Sequence, residues 1–184
     1  MILQTAIETY KPYNEQEARD QQRMLTYLAE HNNLLTRENE EAHFTASAWI
    51  VNPDFTKVAM VFHHIYQSWS WTGGHADGDA DLLRVALKEA NEELGLEKIT
   101  PVMPDIFSLE VLSVPEHEKK GKTVREHLHL NATYLLQAEE ESLVVNPEEN
   151  SAVAWLTLDE AVSKSNEEKM RVIYAKLNDK VRSL

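Results

Sequence analysis

The sequence contains no cysteine, which excludes disulfides, zinc-thiolate sites and thiol nucleophiles together. It has no stretch approaching the ~18 consecutive apolar residues of a membrane span. Its first residues lack the basic-then-apolar arrangement of a secretory signal. These absences predict an unprocessed, cytoplasmic protein with no membrane partner. Positive charge is also scarce: 18 Lys+Arg stand against 31 Asp+Glu, a net charge of −13. A field of that sign repels nucleic-acid backbones, so no nucleic-acid partner is expected. It repels phosphate-bearing small molecules as well, and a divalent cation shared between carboxylates and phosphates is the usual physical remedy.

The hydrophobic share of 42% and charged share of 27% suit a soluble globular chain with a real interior. At 184 residues it fits one ordinary domain plus a modest extension. Residues 14–31 place Ala18, Met24, Leu25 and Leu28 near helical spacing with no Gly or Pro between them, predicting an N-terminal helix. In 43–51, Phe44, Ala46, Ala48 and Ile50 alternate as in a strand, and Asn52-Pro53-Asp54-Phe55 turns into a second strand at 57–64. The segment 69–79 crowds three glycines, aspartates and a histidine into what reads as a loop. It leads into a helix over 79–94 that Gly95 ends, glycine being suited to the left-handed turn beyond a helix. Strands are expected at 106–114, 126–136 and 152–156, and helices at 158–162 and 166–181. This order predicts an α+β fold, a mixed sheet covered by helices on both faces.

In the central helix Leu83, Ala86, Leu87, Ala90 and Leu94 share one stripe, predicted to pack on the sheet. Glu89, Glu92 and Glu93 stand at i, i+3 and i+4, where neighbouring Cβ atoms lie roughly 5–6 Å apart. Three like charges there oppose each other, and those near the C-terminal end oppose the helix dipole. A cation reverses the sign, and magnesium accepts oxygen ligands while leaving positions for water and phosphate. The preceding Gly73-Gly74 lets the backbone turn sharply or come close to a ligand.

Gly74 followed by Lys88-Glu89-Ala90-Asn91-Glu92-Glu93-Leu94-Gly95-Leu96 resembles the Nudix box in register and without a gap. Lys88 stands where the family has arginine, and Ala80 where it has the first glutamate. The family braces loop and helix by an ion pair between those two positions, so Asp79 or Asp81 is expected to pair with Lys88, less rigidly because lysine offers no fork. The resemblance covers roughly 43–165. It implies a Nudix-type α/β/α sandwich, with residues 1–42 as an N-terminal helical extension packed on a 43–184 Nudix hydrolase domain.

The resemblance further implies a Mg2+-dependent hydrolase, Mn2+ substituting, that splits the diphosphate bond of a nucleoside diphosphate linked to another moiety by water attack at phosphorus. The metal ligands would be Glu89, Glu92 and Glu93 with the Gly73 carbonyl. Glu89, Glu92, Glu93 and Lys88 form the catalytic set, with Glu89 first choice as general base and Glu116, Glu118, Glu126 and Glu149 as alternatives. Gly74, His75, His127 and His129 are the substrate-binding candidates; His127 and His129 share one face of a strand, and the alternative is a structural role for them. The 115–125 segment holds the densest positive charge, suited to a phosphate clamp or simply to an exposed hairpin tip. Trp69 and Trp71 either stack on a base or pack locally. The partner implied is a small diphosphate or nucleotide, and a homodimer is possible. A catalytically silent Nudix-like sensor and an isopentenyl diphosphate isomerase-like enzyme are the rivals; the latter relies on a cysteine this chain lacks.

Overall fold

A computed structural model describes residues 3–119 and 122–184. Its elements, in chain order, are α1 (Leu3–Thr9), α2 (Glu15–Glu30), β1 (Ala42–Val51), β2 (Lys57–His63), β3 (Ser68–Ser70), β4 (Thr72–His75), α3 (Leu82–Leu94), β5 (Thr100–Pro101), β6 (Ser108–Val114), β7 (His117–Lys119), β8 (Lys122–Val124), β9 (His127–Gln137), β10 (Asn150–Thr157), α4 (Leu158–Ser163) and α5 (Glu168–Arg182). The main sheet runs β10-β2-β1-β9-β5, with β3 added to β2, β4 to β1 and β6 to β9. β1 and β9 are parallel from Ala42↔Leu128 to Val51↔Gln137, whereas the other pairings in this sheet are antiparallel. The sheet is therefore mixed, as expected.

Strand parity sorts β1 between two cores. Phe44, Ala46, Ala48 and Ile50 join Leu82, Val85, Ala86 and Ala90 of α3 with Ile7 and Met24 of the N-terminal helices. Trp49 and Val51 join Leu158 and Ala161 of α4 with Tyr174, Leu177 and Val181 of α5. Successive strand side chains point to opposite faces, so one ten-residue strand holds both helix layers together. Both of its faces are buried throughout.

At three places the structure changes or adds to what the sequence predicts. Half of the supposed 69–79 loop is strand: β3 and β4 add to β2 and β1, leaving only the turn around Asp77-Gly78 irregular. The 115–125 loop carries a short hairpin, β7 against β8; Lys120 and Gly121 of the expected phosphate clamp lie outside the described residues. An additional helix, α1, precedes the expected one. At seven residues it is too short to be stable by propensity, and it is held by burying Leu3 and Ile7. No described helix is long and apolar enough to cross a membrane.

Candidate metal and catalytic site

α3 begins where Asp81 caps it, its side chain accepting from the Arg84 N–H, and ends at Gly95 with φ of 66°. Its buried face is Leu82, Val85, Ala86, Ala90, Glu93 and Leu94, with Leu83 and Leu87 only partly buried. The helix is thus rotated relative to the stripe read from its leucines. Glu93 lies about three turns beyond Leu82 and so falls beneath it, pointing inward.

That rotation separates the three glutamates. Glu93 is only 3% exposed, whereas Glu89 is partly buried and Glu92 exposed. The Gly73 N–H donates to Glu93 Oε1 at 2.9 Å and the Asn150 amide donates to its Oε2 at 3.3 Å. Burial nonetheless pushes the Glu93 carboxyl up to about 7, with Glu149 and Glu89 adding charge repulsion. Burial also raises Glu89, against the pull of Lys88. Gly74 is packed against Glu89 so closely that a Cβ would stand 2.5 Å from the carboxyl carbon. Parity explains the arrangement: Gly74 pairs with Ala46 and faces α3, while Gly73 pairs with Ser47.

Contrary to the expected pairing, Lys88 meets neither Asp79 nor Asp81. Its ammonium bridges Glu89 at 3.3 Å and Glu92 at 3.1 Å. Asp79 is instead forked by Arg84, at 2.8 and 2.6 Å, and Asp77 is forked by Arg37, both contacts at 2.9 Å. The short span from Asp79 to the helix start leaves Asp79 over the first turn, near residue 84 and far from residue 88. Arginine thus braces the turn after all, from positions outside the box.

The carboxyl groups that could ligate an ion here offer oxygen only, and those of Glu89 and Glu93 are held above their ordinary values by burial. That chemistry fits a hard divalent cation such as Mg2+ or Mn2+. Lys88 already demonstrates that positive charge sits well between Glu89 and Glu92. The three helix carboxylates do not gather within 4.8 Å of one another. Closing them on one ion requires the flexible Lys88 stem to swing aside.

The remaining candidates separate clearly. Glu149 is the alternative base whose charge reaches Glu89 and Glu93. Glu118 accepts from Thr123 and Glu126 from Ser113, within the β7–β8 region and its neighbours. Trp69 packs edge-on against Phe62, and Trp71 meets Tyr174 edge-on. His75, His127 and His129 gather around His43, whose ring lies 5.1, 4.9 and 5.1 Å from theirs. Burial lowers the His43 pKa, favouring the neutral ring. Two surface concavities, one beside Tyr10, Phe107 and Lys180 and one at the start of α3 near Tyr134, are bordered by none of the three glutamates. Arg37, Arg84, His43 and Asn150 escaped the sequence reading. Only Arg84 carried a local signal, three residues after a capping aspartate.

The NUDIX domain family model matches residues 41–177, about three quarters of the chain. No curated protein matches by sequence. Among solved structures, a Nudix hydrolase from M. smegmatis, RenU, is 17% identical over 77% of this chain and 87% of that one, with a TM-score of 0.56. A C. elegans Ap4A hydrolase in a binary complex is 16% identical over 76% and 99%, with a TM-score of 0.55. The NUDIX domain of Shewanella oneidensis NrtR complexed with ADP ribose is 15% identical over 86% and 96%, with a TM-score of 0.54. Identities this low speak to fold alone. The family match rests on sequence, spans most of the chain and includes the Gly74–Glu89 and Gly73–Glu93 contacts; the chain belongs to the NUDIX domain family and has the fold of its hydrolases.

Proposed function

We propose that this chain hydrolyses the diphosphate bond of a nucleoside diphosphate linked to another moiety, in a reaction dependent on Mg2+ or Mn2+. The observation that carries this reading is the buried Glu93 carboxylate, held by the Gly73 N–H beside Glu89 and Gly74. Burying a carboxylate that stays above its ordinary pKa costs stability, and function is the ordinary reason for retaining such a group.

Glu89, Glu92 and Glu93, with the Gly73 carbonyl, would hold the cation. A divalent cation there neutralises charge on the diphosphate and makes water a better nucleophile at neutral pH. Glu89 is the first choice to take the proton from the attacking water, through a carboxylate oxygen left off the cation, because it lies against Gly74, where no side chain stands between it and a substrate. Lys88, once released from Glu89 and Glu92, supplies a mobile positive charge for the developing phosphate. Gly74 lets backbone and substrate approach Glu89 closely. The C. elegans structure is named for Ap4A and the NrtR domain is complexed with ADP ribose. Both compounds contain a nucleoside diphosphate linked to another moiety, which supports that substrate class here.

The test is a panel of such diphosphates assayed with and without Mg2+ or Mn2+, with Glu92→Gln and Glu93→Gln alongside. Metal-dependent product release that falls at least ~100-fold in either variant, with unchanged circular dichroism, is the expected result. Turnover indifferent to both metal and substitution would overturn it, and a folded chain that binds the panel without turnover is the silent sensor.

A further inference from the structure

Four histidines from three strands meet on one sheet face. Parallel pairing sets His43 of β1 opposite His129 of β9, and antiparallel pairing sets His75 of β4 opposite Thr45. His127 lies two residues before His129 on the same side. By parity these residues belong with Thr45 and Ser47, on the face opposite α3 and its glutamates. Donor atoms of His43, His75 and His129 all lie within 4.8 Å of one another.

Hydrogen bonding fixes two of the rings. His43 Nδ1 lies 3.1 Å from the Asn39 carbonyl oxygen, which can only accept, so Nδ1 carries the proton. The lone pair is left on Nε2. That atom is buried with no hydrogen-bond partner among the described residues, on a side chain 5% exposed. A buried acceptor without a partner is a rarity that asks for a cause. His127 repeats the pattern: its Nδ1 lies 2.8 Å from the Arg125 carbonyl, turning Nε2 toward Nε2 of His129 at 3.2 Å. Two nitrogens bound to one tetrahedral ion at ~2.0–2.1 Å stand about 3.3 Å apart, so this spacing serves two ligands of one ion as well as it serves an N–H···N bond. An imidazole whose far nitrogen donates to a backbone carbonyl is the arrangement that orients histidine ligands.

We propose that His43, His75 and His129 form a second metal site, on the sheet face opposite α3, for a Zn2+-class divalent ion, with His127 within reach of the fourth position. Neutral imidazoles select Zn2+, Co2+ or Ni2+ over Mg2+, which takes oxygen donors. The separation by ligand type keeps the two sites from competing for one ion. Bound there, the ion ties β1, β4 and β9 together and fixes β4, the strand that carries Gly73 and Gly74. Small ring rotations, on the order of 1 Å at the nitrogens, bring the widest spacing to the tetrahedral value.

The experiment uses tag-free full-length protein stripped with EDTA and titrated with Co2+, then with Zn2+. One equivalent of Co2+ should give the intense visible bands of four- or five-coordinate cobalt, and Zn2+ should displace it. Glu93→Gln should bind as the wild type does, which separates this site from the one proposed for hydrolysis. His75→Gln, at a partly buried position, and His43→Gln should weaken binding at least ~100-fold. On the wild-type chain, imidazole 15N resonances should shift with Zn2+ and ignore Mg2+, a readout that survives any folding defect in the variants. Absent cobalt bands, bands of undiminished intensity and affinity in His75→Gln, or imidazole signals unmoved by Zn2+ would each overturn the proposal.

Discussion

Two adjacent glycines fail differently when given a side chain. A Cβ at Gly73 would meet the Ala46 carbonyl at 2.5 Å, and a backbone atom inside a paired strand cannot move without breaking the ladder. A Cβ at Gly74 meets the Glu89 carboxyl at 2.5 Å, the far end of a flexible side chain. Gly73→Ala is therefore expected to lose ~1–3 kcal/mol of stability in urea unfolding. Gly74→Ala should unfold nearly as the wild type does but lose at least ~10-fold in kcat, because Glu89 is pushed from its place. Equal stability losses in the two would contradict this account. Glu93 gives the converse case. Its carboxyl is raised from 4.5 to about 7, so the charged form penalises folding fully above that value, and the penalty fades as pH falls from 7 toward 4.5. Glu93→Gln removes the charge, and Asn150 Oδ1, buried without a hydrogen-bond partner among the described residues, can accept from the new amide if the Asn150 side chain flips. In EDTA at pH 8 the variant should melt higher than the wild type, by up to about 3 kcal/mol, while losing activity.

At the scale of the element, α3 shows what the sequence made legible and what it hid. Its C-terminal end was legible because it is local, Gly95 acting on the backbone within one turn; its start is expected at residue 79, whereas Asp81 caps it and the helix begins at Leu82. Asp81→Ala is accordingly expected to cost about 1 kcal/mol, read by denaturant midpoint. The spacing of Glu89, Glu92 and Glu93 was legible for the same reason. Their unequal burial was not, because Leu82 and Val85 competed with Leu83 and Leu87 for the inward position. The sheet decided: small Ala46 and Ala48 admit the Ala86–Ala90 side of the helix, and Glu93 comes with it. His43 was hidden for a different reason. A lone histidine at the start of a strand carries no signal until the parallel register pairs it with His129 across 86 residues. β4 was masked by its own glycines, whose loop propensity is overridden by pairing along β1.

On the scale of the whole molecule, a buried ionic network joins the two ends of the chain. Glu17 of α2, fully buried, accepts from Tyr10, Ser108 and Lys180, and Lys176 lies 3.1 Å away. Lys176 also meets Glu110 of β6, which receives hydrogen bonds from Asn131 and Thr133. Lys180 reaches the Phe107 carbonyl as well. Two buried cations thus balance two buried anions, and α2 and α5 are fastened to β6 by the same four side chains. Burial alone would raise the Glu17 carboxyl, but the Tyr10 hydrogen bond and the Lys176 charge outweigh it and hold it at about 2. A carboxylate depressed on folding contributes stability that is complete above the unfolded value of 4.5 and lost as pH falls through about 2. Glu17→Gln leaves two ammonium groups facing one carboxylate, and is expected to cost ~3–5 kcal/mol at pH 7 and to flatten the stability profile between pH 4.5 and 2. Adding Lys180→Met restores the charge balance, so the double variant should be more stable than the sum of the single losses allows. Urea unfolding of all four proteins at pH 7 and pH 3 reads both effects. Additive losses with an unchanged acid slope would mean that α2 is held by its apolar contacts through Met24, and that the ionic network does not fasten it.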